Sequence, residues 1–267
     1  MSLVWFNGKL SRGGTIELPA DNRGLWLGDG LFETMLMVKG KVAELDAHLS
    51  RMANSAGVLG LGYSDAAVRV AVGDLGAASD APVNAVRVRL LRGDPAILLA
   101  TATAFDIALI GKTQRLATVS IRRNPHSIAS THKTLSYIDS IAALREAEKA
   151  GADGALMMNT LGKVASSAIA NLFLLKGDTL ITPGVDQGIL PGTTRARLLR
   201  DAGSLGLRPV ERVVDQSELF TADAVFLTNA LRLLTPVTQI DGRLTGTRDC
   251  RFILNHLIPE HLKEHIT

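Results

Sequence analysis

The apolar positions of this chain change period several times, and each change marks an element. Residues 3–8 read as a short strand ending in an Asn7-Gly8 turn, with residues 9–18 returning beside it. Residues 32–38 read as a strand, and Lys39-Gly40 turns it into a second at 42–45. A helical period follows. Leu49, Met52, Ala53, Ala56 and Leu59 fall on one face, Asp46 is the expected N-cap and Gly60 closes the run, with His48 and Arg51 off the centre of the stripe. A second helix is expected from Asp65 to about Leu75. Val86, Val88 and Leu90 alternate with Arg87 and Arg89 as in a strand, and residues 96–104 read as its partner.

Beyond Gly111-Lys-Thr-Gln114, which reads as a linker, residues 116–122 form the next expected strand. Tyr137, Ile141, Leu144 and Ala147 then make one helical face, ended by Gly151. Residues 155–159, 164–170, 172–175 and 179–181 read as short strands separated by Gly162 and Gly177. Thr193 or Thr194 is the expected cap of a helix to about Ala202, residues 225–228 a strand and 247–263 a terminal helix. This order predicts an α+β fold in two domains, residues 1–112 and 113–267, with mainly antiparallel pairing and Lys133 in the second domain.

Composition narrows the classes. With 267 residues, 46% hydrophobic and 21% charged, the chain can bury two cores and is not disordered. No apolar run approaches the roughly 20 residues that span a bilayer, so no membrane partner is expected. Residues 1–8 lack the charged and apolar blocks of a signal peptide, which makes the expected address cytoplasmic. A single cysteine, Cys250, excludes an internal disulfide and has no companions for a metal site. The net charge of +3 and 4% aromatic content are small for a nucleic-acid binder. Arg87, Arg89, Arg92, Arg122 and Arg123 suit small anionic ligands better, a solvated basic edge being the plainer alternative.

Within Ser127-Ile-Ala-Ser-Thr-His-Lys-Thr-Leu-Ser-Tyr137, Lys133 stands just before or within the first turn of the expected helix. An amine held by such a framework can form an imine with an aldehyde cofactor, or be an ordinary surface charge. Four stretches then occur in order: Gly28-Asp-Gly-Leu-Phe-Glu-Thr34, Asp46-Ala-His-Leu-Ser-Arg51, His132-Lys-Thr-Leu-Ser-Tyr137, and Gly162 through Arg195 with Ala170-Asn-Leu-Phe173, Thr182-Pro183 and Ile189-Leu-Pro-Gly-Thr-Thr-Arg195. Together they resemble the fold type IV pyridoxal phosphate enzymes, the family that contains branched-chain and D-amino acid aminotransferases and aminodeoxychorismate lyase.

The resemblance implies the two-domain α+β fold of that family, pyridoxal 5'-phosphate as cofactor, and a homodimer with the site at its interface. Lys133 matches the Schiff-base lysine and Arg51 the phosphate-binding arginine, whose planar fork suits phosphate oxygens. Gly192-Thr193-Thr194 matches the turn that holds the same phosphate, at a helix N-terminus where unpaired N–H groups favour an anion. Tyr137 is expected near the cofactor's phenolic oxygen and Asn229 among its contacts. The family's usual glutamate at the pyridine nitrogen is replaced by Ser166, which brings no charge. Arg122-Arg-Asn-Pro125, Thr228-Asn-Ala-Leu231 and Arg89-Leu-Leu-Arg-Gly93 look most like the lyase, and Leu27 replaces a tyrosine of the D-amino acid aminotransferases. The expected reaction is conversion of 4-amino-4-deoxychorismate, a small anionic amino substrate, to 4-aminobenzoate and pyruvate in folate synthesis. The alternatives are an aminotransferase for D- or branched-chain amino acids, and a catalytically decayed cofactor-binding protein.

Overall fold

The alternation at residues 86–90 lies in the middle of a long antiparallel sheet. In the computed structural model, which describes residues 2–264, strands β1 (Leu3–Phe6), β2 (Lys9–Arg12), β3 (Gly30–Val38), β4 (Lys41–Val42), β5 (Val83–Leu91) and β6 (Ile97–Ala104) run in the order β2-β1-β6-β5-β3-β4. Its inward positions, among them Leu31, Met35, Val86, Val88, Ala100 and Ala102, pack under two helices that follow the short α1 (Arg23–Leu27), namely α2 (Leu45–Leu59) and α3 (Asp65–Ala78). Alternation with β-branched and aliphatic residues on one face gives this half-covered sheet its register. The expected N-cap is corrected: α2 starts after Glu44, which caps without its side chain, and Asp46 sits in the first turn. Its buried stripe, His48, Leu49, Met52, Ser55 and Ala56, is rotated toward polar residues that the apolar pattern had left out.

Residues 133–135 join this sheet. The Phe32 N–H donates to the Lys133 carbonyl (2.9 Å), the Leu135 N–H to Gly30 (2.9 Å), and Leu31 bridges Thr134. Gly30 is needed there, because a Cβ would overlap the Leu90 carbonyl on one side and Leu135 on the other. The first unit therefore holds the chain up to Ile107, His132–Ser136 and the segment from Pro259 onward; Ala108–Thr131 and Tyr137–Ile258 form the second. This corrects the boundary at 112 and the assignment of Lys133 to the C-terminal domain, both of which assumed contiguous domains.

The second unit contains β7 (Gln114–Thr118), α4 (Ile128–Thr131), α5 (Ile138–Lys149), β8 (Gly154–Met158), β9 (Val164–Ser167), β10 (Asn171–Lys176) and β11 (Thr179–Thr182). It continues with α6 (Thr193–Asp201), β12 (Arg208–Glu211), β13 (Ala224–Asn229), β14 (Leu233–Ile240), β15 (Arg243–Leu244) and α7 (Arg251–Leu257). The strands order as β12-β11-β10-β13-β14-β7-β8-β9, with β15 on β14. Pairing here is mixed: β11 with β12, β14 with β7 and β7 with β8 are parallel. Helix α5 buries Ser140, Ala143 and Ala147, while Ile141, expected on the inner face, is 41% exposed. The expected terminal helix is broken at Pro259, after which α8 (Glu260–Lys263) belongs to the first unit. No described helix is long and apolar enough to cross a membrane, and no described group of three His, Cys, Asp or Glu side chains could hold a metal ion.

Candidate functional site

In the first unit, β3 is the support. Alternation along the strand turns Phe32 and Glu33 to opposite faces. Lys133 lies on the Phe32 side, its Nζ 4.2 Å from the ring centroid, so the amine rests on an aromatic surface. Ser55 on α2 hydrogen-bonds the Nδ1 of His132 (2.9 Å), which ties the residue before Lys133 to the helix. Strand β5 faces the same side: Arg89 lies opposite Phe32 and Arg87 opposite Thr34. Both arginines are partly buried and donate only long bonds to Thr103 and Thr101 (3.3 and 3.4 Å), and neither has a carboxylate partner among the described residues. Burial, and then the neighbouring Arg87 charge, hold the Arg89 guanidinium below its ordinary pKa.

On the helix side of β3, Glu33 is 2% exposed and is clasped by Arg51 through Nε to Oε1 (2.8 Å) and Nη2 to Oε2 (2.6 Å). His48 Nδ1 lies 2.7 Å from Oε2. Burial alone would raise the Glu33 pKa, but the Arg51 charge and the hydrogen bonds from His48 and Arg51 outweigh it and bring it to about 2. Arg51 is thus positioned by a carboxylate that the apolar pattern did not single out. One signal was available: Glu33 occupies an inward position of β3, between Leu31 and Met35, where a charge needs a partner.

In the second unit, Tyr137 immediately precedes α5 and donates to the Ala168 carbonyl (3.4 Å). Burial raises its phenol pKa, opposed by a Ser140 hydrogen bond and the Arg123 charge. Arg123 donates to Ser140 Oγ (3.2 Å) and to the same Ala168 carbonyl (3.1 Å), and burial lowers its pKa. Two residues earlier than Ala168, Ser166 is 5% exposed and its hydroxyl donates to the Ser167 carbonyl (2.8 Å). Thr193 and Thr194 are buried in the first turn of α6, whose N-cap is Gly192 and not a threonine. Asn229 ends β13, and its Oδ1 accepts from the N–H groups of Leu231 (3.1 Å) and Arg232 (2.8 Å), which makes it the turn residue before β14.

Each unit by itself presents groups of the kind that suit one part of a phosphorylated aldehyde. The first unit supplies an amine on an aromatic face. The second supplies a helix start with no side-chain cap, where a Cβ on Gly192 would overlap Asn171 Oδ1, and one strand over a buried Thr228 hydroxyl without a partner among the described residues. Residues 30–240 match the family described as amino-transferase class IV.

The chain belongs to that family.

Members of class IV depend on pyridoxal 5'-phosphate, as the sequence motifs implied. A candidate branched-chain-amino-acid aminotransferase of Methanocaldococcus jannaschii is 31% identical, over 92% of this chain and 90% of the relative. The bifunctional aminodeoxychorismate lyase / D-amino acid transaminase of Mycobacterium tuberculosis is 29% identical over 90% and 92%. Among solved structures, the branched-chain aminotransferase of Thermoproteus uzoniensis with norvaline superposes with a TM-score of 0.86 at 27% identity, covering 98% of this chain and 97% of that one. The α+β class IV fold is therefore established, and the chain is a class IV pyridoxal phosphate enzyme.

Proposed function

We propose that the protein acts on a small amino substrate carrying more than one carboxylate, and that its reaction is the conversion of 4-amino-4-deoxychorismate to 4-aminobenzoate and pyruvate. The supporting observation is the pair Arg87 and Arg89, without carboxylates of their own, on the face of β3 and β5 that also carries Lys133. A half-buried guanidinium pair disfavours an aliphatic side chain and favours a carboxylate-bearing ligand, because a charge taken out of water needs a counter-charge.

When bound, the cofactor supplies an electron sink for the bond cleaved next to the substrate amine. Lys133 would hold the cofactor covalently, and its amine would serve as general base at the ring C4 proton of the substrate. The enolpyruvyl C–O bond breaks as the ring becomes aromatic, and the leaving enol takes a proton to become pyruvate. Arg51, held by Glu33, and the Thr193-Thr194 turn are assigned to the phosphate, Tyr137 to the phenolic oxygen, Ser166 to the ring nitrogen and Asn229 to the strand end beside it. We also infer a cytoplasmic homodimer; sedimentation of the purified protein tests the dimer, and fractionation of cells tests the location.

Supplying purified enzyme with 4-amino-4-deoxychorismate should yield 4-aminobenzoate and pyruvate in equal amounts. Arg87→Leu and Arg89→Leu should each raise KM about ten- to a hundredfold, since a hydrogen bond to a charged group contributes roughly 1.5–3 kcal/mol. Transamination of D- or branched-chain amino acids without any 4-aminobenzoate would give the second reading, which the names of the relatives called aminotransferases alone favour. Bound cofactor with neither activity would mark a decayed protein.

Ser166 bears on the same choice. A carboxylate beside a protonated ring nitrogen favours the charged form by roughly 1–3 pKa units, and a serine hydroxyl does not. Aromatisation drives the elimination, so a weaker sink costs less there than in transamination. Ser166→Glu is expected to speed transamination of simple amino acids and leave the lyase rate level or lower, at cofactor occupancies measured for each protein. A gain of lyase activity in Ser166→Glu over an inactive wild type would reverse this assignment.

A further inference from the structure

Thr228 is 2% exposed, and its hydroxyl has no hydrogen-bond partner among the described residues. Buried hydroxyls are nearly always paired, so an orphan marks a place where something else binds. The fold identifies that place. In the β10–β13 ladder Thr228 lies directly opposite Asn171, so the two side chains leave the sheet on the same side, with Cβ atoms roughly 5 Å apart. Asn171 is fixed by its Nδ2, which donates to the Leu190 carbonyl (2.8 Å). Its Oδ1 lies against Gly192, where any Cβ would overlap it. Gly192 is the N-cap of α6, a helix of nine residues. The orphan hydroxyl therefore stands on the side of the sheet where α6 begins.

That helix start is built to take negative charge. N–H groups of a first turn have no acceptor within the helix, and the aligned peptide dipoles add positive potential there. Gly192 contributes no side-chain cap, and Thr193 and Thr194 are buried at 8% and 7% exposure, so water is a poor substitute. We propose that Thr228 is a ligand of the anion held at the α6 N-terminus, donating its O–H to an oxygen of the cofactor's phosphate. A hydroxyl suits this position because it rotates to donate and adds no charge. The proposal rests on the pyridoxal phosphate reading above and adds to it a residue outside the Gly192-Thr193-Thr194 turn.

Thr228→Val removes the O–H and keeps the shape, and the two consequences have opposite signs. Without cofactor, the variant should melt higher than wild type, because a buried unpaired hydroxyl has been replaced by a methyl group. With cofactor, its affinity for pyridoxal phosphate and for inorganic phosphate should fall about tenfold, while affinity for unphosphorylated pyridoxal stays within about twofold. Thr228→Ser should restore the phosphate affinity, and Thr228→Ala should show the same phosphate-specific loss if valine does not fold. A lower melting temperature with unchanged phosphate affinity would mean that the hydroxyl has a structural partner, and would overturn the proposal. Equal losses for pyridoxal and its phosphate would also overturn it, as a packing effect. Wild type that binds the phosphorylated cofactor at Lys133 while Thr228→Val changes nothing sinks this inference alone. Wild type that binds neither cofactor nor phosphate sinks the functional reading with it.

Discussion

Lys133→Ala is expected to abolish covalent retention of pyridoxal phosphate and to lower turnover by at least about 10²–10⁴, the usual contribution of a positioned proton-transfer group. The covalent link adds to that figure. The fold should survive, because the side chain makes a cation–π contact with Phe32 worth roughly 0.5–1 kcal/mol, while the peptide groups that pair residues 133–135 with β3 are unchanged. Borohydride reduction followed by peptide mass spectrometry reads the result: the adduct should sit on the peptide containing Lys133 in wild type and be missing in the variant. An adduct on another lysine, or wild-type turnover in Lys133→Ala, would remove the basis of the assignment. Cofactor held without a covalent bond should still protect the variant against heat, since the residues proposed to hold the phosphate do not include this amine.

The elements that the sequence displayed clearly are those whose burial is one-sided and local. In β5 the apolar residues at 86, 88 and 90 face the core as the alternation says, and α3 follows its apolar period. Legibility stopped where distant pairing decides. Nothing within residues 127–137 reports that Lys133 attaches to β3, since the bonds run from Gly30 and Phe32. Strand β14 went unread because Pro236 interrupts it; the ladder with β7 begins only at Val237, so at the proline the strand has a neighbour on one side only. The inner face of α5 is made by the small residues Ser140, Ala143 and Ala147, of which the apolar period contains only Ala147, because a hydrophobicity pattern undervalues small side chains that packing selects. At the candidate site, chemistry-bearing types at motif spacing were legible and their second partners were not. Arg51 was visible and its carboxylate clasp was not; Asn229 was visible, and its side-chain Oδ1 turns out to hold a turn. Thr228 was visible only as the first residue of the lyase-like Thr228-Asn-Ala-Leu231 stretch, and nothing in that stretch reports that its hydroxyl is buried without a partner among the described residues.

The Glu33 clasp carries the other large effect. Glu33→Gln should destabilise the first unit by about 3–5 kcal/mol, because it takes the buried carboxylate away from the Arg51 charge, 12% exposed. At about 2–4 °C per kcal/mol for chains of this size, the melting temperature should drop on the order of 10 °C. The pH dependence distinguishes this from a packing defect. Glu33 has an ordinary value of 4.5 and is held at about 2 in the folded protein, so over that interval the native state binds fewer protons than the unfolded one. Its contribution is complete above pH 4.5 and is lost as pH falls through about 2, amounting to about 3 kcal/mol at about 1.4 kcal/mol per unit. Wild type should therefore show an acid limb in that window that Glu33→Gln lacks. Adding Arg51→Met to Glu33→Gln should recover part of the lost stability, since the cation that has lost the Glu33 carboxylate is then gone, while phosphate affinity should fall further. If the acid limbs of wild type and Glu33→Gln run parallel, or if the double variant is less stable than the single, the buried carboxylate is not what positions Arg51.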